Sequence, residues 1–292
     1  MIPKKEIRVQ WTHSSNGFMD FIRGVITLYQ IFGEEYKITP VISPKIKLSE
    51  IFEYSNSHLY KTICQKEDYY DNDPLVIRDI VGQQLNEDII YLAKCYFTPD
   101  WDVDFSKYKW LLAVKPEFEK LVSKYKLPDY DYSLIYVRCS DELMKNQREA
   151  TKHLTNHYRD IINGIIKDKI NTYPPILLST YLDVRKHFYS IVAADTIPYH
   201  SSRPTMSDND VVDWIFDLKL ICNAKQVISI FTNSGYGFTT IPCKIFNIPH
   251  TKIMKNVQSK QEQVLNTCKF TREIFASSED YIAAFARNDS KY

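Results

Sequence analysis

Residues 217–246 read DLKLICNAKQVISIFTNSGYGFTTIPCKIF. A helical period closes at Asn223-Ala224, and the β-preferring run Gln226–Thr232 follows it. Thr-Asn-Ser-Gly at 232–235 breaks that run, and a second helical pattern opens. A strand between helices, with hydroxyl and amide side chains where it stops, is the repeating unit of a parallel sheet covered by helices.

The same alternation extends outward. Strand-type apolar runs stand at IRVQW (7–11), DIIYLA (88–93), SLIYVR (133–138), PILLST (175–180) and SIVAAD (190–195). Phe18, Phe21, Ile22, Val25, Tyr29 and Phe32 share one helical face, and Gly33 supplies a stop. Leu154, Tyr158, Ile161, Ile162, Ile165 and Ile166 repeat the period, as do Val211, Trp214, Ile215, Leu218 and Ile221. Between 50 and 115 the pattern is interrupted by polar clusters such as KEDYYDNDP, and KLPDYDYS at 126–133 reads as a boundary. The expected organisation is therefore α/β, with one domain over 1–128, a second over 129–254 and a helical tail over 255–292 that packs back on the first domain.

The bulk numbers narrow the function. A chain of 292 residues is long for one core, so two domains are expected. Its 44% hydrophobic and 25% charged residues are ordinary soluble values. A net charge of +1 gives no global reason to expect a nucleic-acid partner. The six scattered cysteines form no CxxC pair, so neither a zinc ribbon nor a redox motif is drawn. MIPKKEIRVQW has no apolar h-region and no run of 18 apolar residues follows, so no membrane span and a cytoplasmic location are expected.

Ligands of open α/β sheets bind at the carboxyl ends of strands beside helix N-termini. Three segments fit. THSSNGFMDF (12–21) ends a strand with small polar residues, and Asn16-Gly17 opens a helix whose free N–H groups suit an anion. It lacks the three glycines of a dinucleotide fingerprint and the Gly-Lys-Ser/Thr of a P-loop. SLIYVRCSDE (133–142) delivers Arg138 to a strand end, a planar fork for phosphate oxygens that stays charged when desolvated. An ion pair of Arg138 with Asp141 or Glu142 is the simpler reading of that segment. The third is 217–246, where Thr232, Asn233 and Ser234 face the end of a strand. Asp210, Asp213 and Asp217 there recur at helical spacing, with Asp217 nearest the sheet.

Taken in order, these segments resemble the fucosyltransferase superfamily, the α1,2-, α1,6- and peptide O-fucosyltransferase group. YVRCSDE stands where the family carries a His-x-Arg motif, ILLSTYLDVRKHF where a strand ends in Ala-Thr-Asp, and DLKLICNAKQVISIFTNS where a distal Asp…Ser/Thr-Ser motif lies. The likeness runs continuously over about 133–254 and touches only the first helix before that. Tyr136 replaces the usual histidine and Tyr181 the usual aspartate.

The resemblance implies a GT-B-like fold of two Rossmann-like domains facing across a cleft. It implies a nucleotide-diphosphate sugar as donor, GDP-fucose favoured, and a glycan or glycoprotein as acceptor. Arg138 matches the catalytic arginine. Asn16, Gly17, Tyr136, Ser179, Thr180, Asp217, Thr232, Asn233 and Ser234 fall at donor-side positions. No family general base carries over; His13, Asp20, Asp141 and Glu142 are candidates by chemistry alone.

Chemistry makes a parallel demand. As the anomeric C–O bond breaks, charge accumulates on the departing diphosphate, and without a metal it needs fixed N–H donors and a cation. The expected activity is thus inverting, metal-independent transfer of fucose or a related sugar, with no cofactor, by a bacterial or virus-encoded enzyme. Two alternatives remain. One is a metal-dependent transferase using an Asp-x-Asp site, for which DVD at 102–104 is the strongest of four matches. The other is a sugar- or nucleotide-binding module without catalysis.

Overall fold

In the computed structural model the structure describes residues 5–11, 17–43, 48–56, 74–83, 88–93, 99–122, 127–138, 162–165, 167–179, 208–232, 237–257 and 268–272. The chain divides into two compact units. One comprises Met1–Tyr125, Pro198–Ile215 and Lys244–Phe246; the other comprises Lys126–Ile197, Phe216–Cys243 and Asn247–Tyr292. Instead of three consecutive segments, short later stretches return to the first unit. The reason is hydrophobic: Trp214 is buried there, with its ring edge-on to Phe18 at 5.4 Å and to Phe52 at 6.1 Å.

The first unit is built on β1 (Glu6–Trp11), α1 (Phe18–Phe32), β2 (Lys37–Ile42), α2 (Leu48–Ile51), β3 (Ser55–Asn56), α3 (Pro74–Gly82) and β4 (Ile89–Ala93). A 3₁₀ helix (Ser106–Leu112) and α4 (Pro116–Val122) follow. The strands pair in parallel in the order β3-β2-β1-β4. Central β1 buries Ile7, Val9 and Trp11, as a strand covered on its faces should. The expected face of α1 is the one it buries, and half-exposed Tyr29 hydrogen-bonds from its hydroxyl to the Ile38 carbonyl at 2.7 Å. Gly33 ends α1 because of space: a Cβ there would sit 2.5 Å from the Tyr29 carbonyl oxygen.

Pro40 lies inside β2, where a proline removes a ladder donor. The Lys37 amide donates to Lys5 and the Ser43 amide to Trp11, so alternate amides of β2 serve β1. Position 40 belongs to the opposite set, and β3 pairs only with Val41 and Ile42. The missing N–H therefore falls where no ladder bond is drawn.

The second unit contains β5 (Ser133–Arg138), β6 (Pro175–Ser179), the second half of α5 (Asp208–Asn223), β7 (Gln226–Thr232), α6 (Gly237–Phe246) up to Cys243, β8 (His250–Val257) and β9 (Cys268–Arg272). Its sheet has the order β6-β5-β7-β8-β9, parallel except for the β8–β9 pair. Tyr132 through Val137 are all buried. Polar groups at the amino ends of the strands satisfy one another. Ser133 donates to the Gln226 side-chain oxygen at 2.9 Å, Gln226 donates to the Ile170 carbonyl at 3.1 Å, and the Tyr173 amide donates to the Ser133 hydroxyl at 3.0 Å.

Within the segment expected as a helical tail, Cys268–Arg272 instead forms an edge strand. Its Phe270 and Thr271 favour pleated backbone and pair with Lys255 and Met254. SIVAAD and the helical pattern DYIAAFAR lie outside the described residues. Two Rossmann-like sheets in one chain are the elements of the expected GT-B-like α/β architecture.

Candidate active site

Strand order locates the crevice. From β5 the chain goes to β6 on one side and then to β7 and β8 on the other, so the connections diverge between β5 and β7. Ligands of open α/β sheets bind at such a divergence, outside the carboxyl ends of the strands. Arg138 is the last residue of β5 and pairs in register with Phe231, next to Thr232 at the end of β7. Two residues chosen independently from the sequence thus end adjacent parallel strands at one edge.

Ser179 ends β6, opposite Val137. It is fully buried, and its hydroxyl donates to the Val137 carbonyl at 3.0 Å, which ties the end of β6 to β5. Tyr136 is 2% exposed, with its ring 5.8 Å from that of Phe238 in α6, so this substitute for the family histidine stands in the core. Asp217 is 3% exposed on α5, between buried Phe216 and Leu218. A carboxylate withdrawn so far from water needs polar company, unlike the solvated face that its helical spacing also allowed.

In the first unit, Gly17 caps α1 and its carbonyl accepts from the Asp20 and Phe21 amides at 3.0 and 3.2 Å. Asp20 stands in the first turn, where an acid suits the helix dipole, 3.3 Å from Arg23. His13, Asn16, Asp141, Glu142, Thr180, Asn233 and Ser234 lie outside the described residues.

The acidic triplet DVD is built into turns. The Asp102 amide donates to the Asp100 carboxylate at 2.9 Å, and Asp104 accepts from the amide and hydroxyl of Ser106 at 2.8 Å each. The bonds from Ser106, backbone first, hold the Asp104 carboxyl below its ordinary range. Asp104 thus closes a turn onto Ser106, the first residue of the 3₁₀ helix. Among the described residues no group of three or more His, Cys, Asp or Glu is placed to hold a metal ion.

One polar cluster went unread in the sequence. Ser229 on β7 donates to Thr239 of α6 at 2.9 Å, and its oxygen is 2.8 Å from Nε2 of His250 on β8. Burial, aided by the charge of Lys252, pushes the His250 imidazole down to about 3, so it is neutral near pH 7. Burial also pushes the Cys222 thiol up to about 12 and raises that of Cys243, which keeps both protonated near pH 7. The signal for the cluster was a lone serine in an otherwise apolar strand.

No protein-family model matches the sequence. No curated protein matches it either. Among solved structures, the fold is similar to a crystal structure of NodZ alpha-1,6-fucosyltransferase soaked with GDP-fucose. That match has 12% identity, covers 87% of this chain and 95% of that one, and has a TM-score of 0.48. It is also similar to the apo form of POFUT1, at 9% identity over 86% of this chain and 98% of that one, with a TM-score of 0.42.

Proposed function

We propose that this chain is a glycosyltransferase that moves fucose or a related sugar from a nucleotide-diphosphate donor, GDP-fucose first, to a hydroxyl of a glycan or protein. What supports this reading most is the register between β5 and β7, which sets Arg138 beside the end of β7 where the strand order diverges. The ordered motifs at 133–142 and 217–234 carry the same residues.

In the proposed reaction the acceptor oxygen forms a bond to the anomeric carbon while the bond from that carbon to the diphosphate oxygen breaks, with inversion. The electron pair leaves on the diphosphate. Arg138 supplies the cation for it, and Thr232, Asn233, Ser234 and the opening of α6 supply neutral donors. In this scheme Ser179, which ends the neighbouring strand, serves the donor side together with Thr180 and Asp217. The acceptor proton goes to a carboxylate or imidazole, with His13, Asp20, Asp141 and Glu142 as candidates. No metal takes part in this scheme.

Thermal-shift titration with GDP, UDP, CDP and their sugars tests the donor. A nucleotide at 100 times its Kd stabilises the protein by about 2.7 kcal/mol. A GDP response together with sugar release or transfer supports the proposal. A UDP-only response moves the donor to a UDP-sugar. Nucleotide binding with neither hydrolysis nor transfer would leave a binding module. Activity lost on chelation and regained with Mn²⁺ would overturn the metal-independent scheme.

A further inference from the structure

The Ser229–Thr239–His250 cluster spans three elements: β7, α6 and β8. Ser229 and Thr239 are fully buried. An apolar trio would fill that space. A buried hydroxyl–hydroxyl bond adds little net stability, because folding exchanges it for bonds to water, so stability alone is a weak reason for it. What a hydrogen bond adds over apolar packing is direction: it holds Thr239 at one distance from β7, where an apolar contact lets the helix slide.

The same first turn of α6 is held from the other neighbour of β7. Phe238 rests on Tyr136 of β5, directly before Thr239. Thr240, next along, is 4% exposed, and its hydroxyl has no hydrogen-bond partner among the described residues. An orphaned buried hydroxyl is costly, a deficit that a ligand oxygen at this turn would remove.

We infer that Ser229, Thr239 and His250 are positioning residues. They fix the first turn of α6 against the middle of β7 and so set the geometry in which a nucleoside diphosphate is gripped. The inference rests on the glycosyltransferase reading above. The residues act through the α6 opening and need not touch the ligand. Their loss weakens the grip on the diphosphate and spares the nucleoside.

The test compares the Kd of GDP with that of guanosine for the full chain and for Thr239→Val, Thr239→Ser and Ser229→Ala. Thr239→Val keeps the side-chain shape and removes the hydroxyl. Loss of aligned hydrogen bonds to the charged diphosphate is worth about tenfold to a hundredfold in binding, so its GDP affinity should fall by that much while guanosine affinity holds. Thr239→Ser should restore the ratio. Should Thr239→Val not fold, Ser229→Ala carries the same comparison. A melting temperature lowered in these variants with an unchanged GDP-to-guanosine ratio would overturn the inference and leave the cluster as core. A wild-type protein that binds GDP no better than guanosine would instead overturn the glycosyltransferase reading, and the inference with it.

Discussion

Acid should weaken this protein through one imidazole before its carboxylates respond. His250 is held neutral down to about pH 3 by burial and by Lys252, against an ordinary value of 6.5 in an unfolded chain. Below pH 6.5 the unfolded chain takes up a proton that the folded chain refuses. Stability is therefore complete above that value and falls as the pH drops toward 3. At pH 5 the unfolded imidazole is almost fully charged and the folded one is not. Integrating the linkage from pH 7 to pH 5 gives a loss of about 2 kcal/mol. Burial pushes the Glu6 carboxyl up, but hydrogen bonds from Arg8 and Thr39 and the charges of Arg8 and Lys37 together lower it. Urea unfolding at pH 7 and pH 5, in wild type and in His250→Gln, isolates the effect, since all other histidines are common to both. The glutamine amide can still donate to Ser229 and does not titrate. Wild type should lose about 2 kcal/mol more than the variant over that interval. Parallel losses in the two proteins would refute the half-buried, neutral His250.

Three further outcomes follow from single residues. Arg138→Ala should lower sugar transfer by a factor of about 10²–10³, by analogy with loss of one oxyanion donor, with little change in melting temperature; assay of transferred or released sugar checks it. Tyr132→Phe removes the hydroxyl that donates to the Leu220 carbonyl at 2.7 Å and strands that acceptor. Urea unfolding should then show a loss of about 1–3 kcal/mol. Gly33→Ala puts a methyl 2.5 Å from the Tyr29 oxygen, and forcing the end of α1 aside should cost about 1–3 kcal/mol in the same assay.

Elements with a strong period were legible in the sequence. β1, β4, β5, β6 and β7 coincide with the apolar runs, and α1 and α5 with the periodic faces. β2 was hidden by Pro40, which only the shortness of β3 makes tolerable. β8 reads HTKIMKNV, too polar for an apolar run, because its far neighbour is the edge strand β9. The extra returns to the first unit were hidden as well, since nothing in the α5 pattern tells Trp214 which core it joins.

The candidate site was half legible. Arg138 and Thr232 could be assigned to strand ends, because an apolar run stops at each. Their adjacency could not, because strand order is a long-range property with no local signature. Ser229 and His250 lie 21 residues apart on neighbouring strands, and neither is unusual alone. Ser179 shows what only the fold reveals: its strand-end hydroxyl donates to the Val137 carbonyl of the neighbouring strand.

The most direct test of the central claim is a double-mutant cycle on GDP affinity, measured by calorimetry for wild type, Arg138→Ala, Ser234→Ala and the pair. If the strand-end arginine and the turn after β7 hold one diphosphate, the two losses should be coupled by about 0.5–3 kcal/mol. Losses that add to within about 0.5 kcal/mol would contradict the account, because groups serving separate sites behave that way.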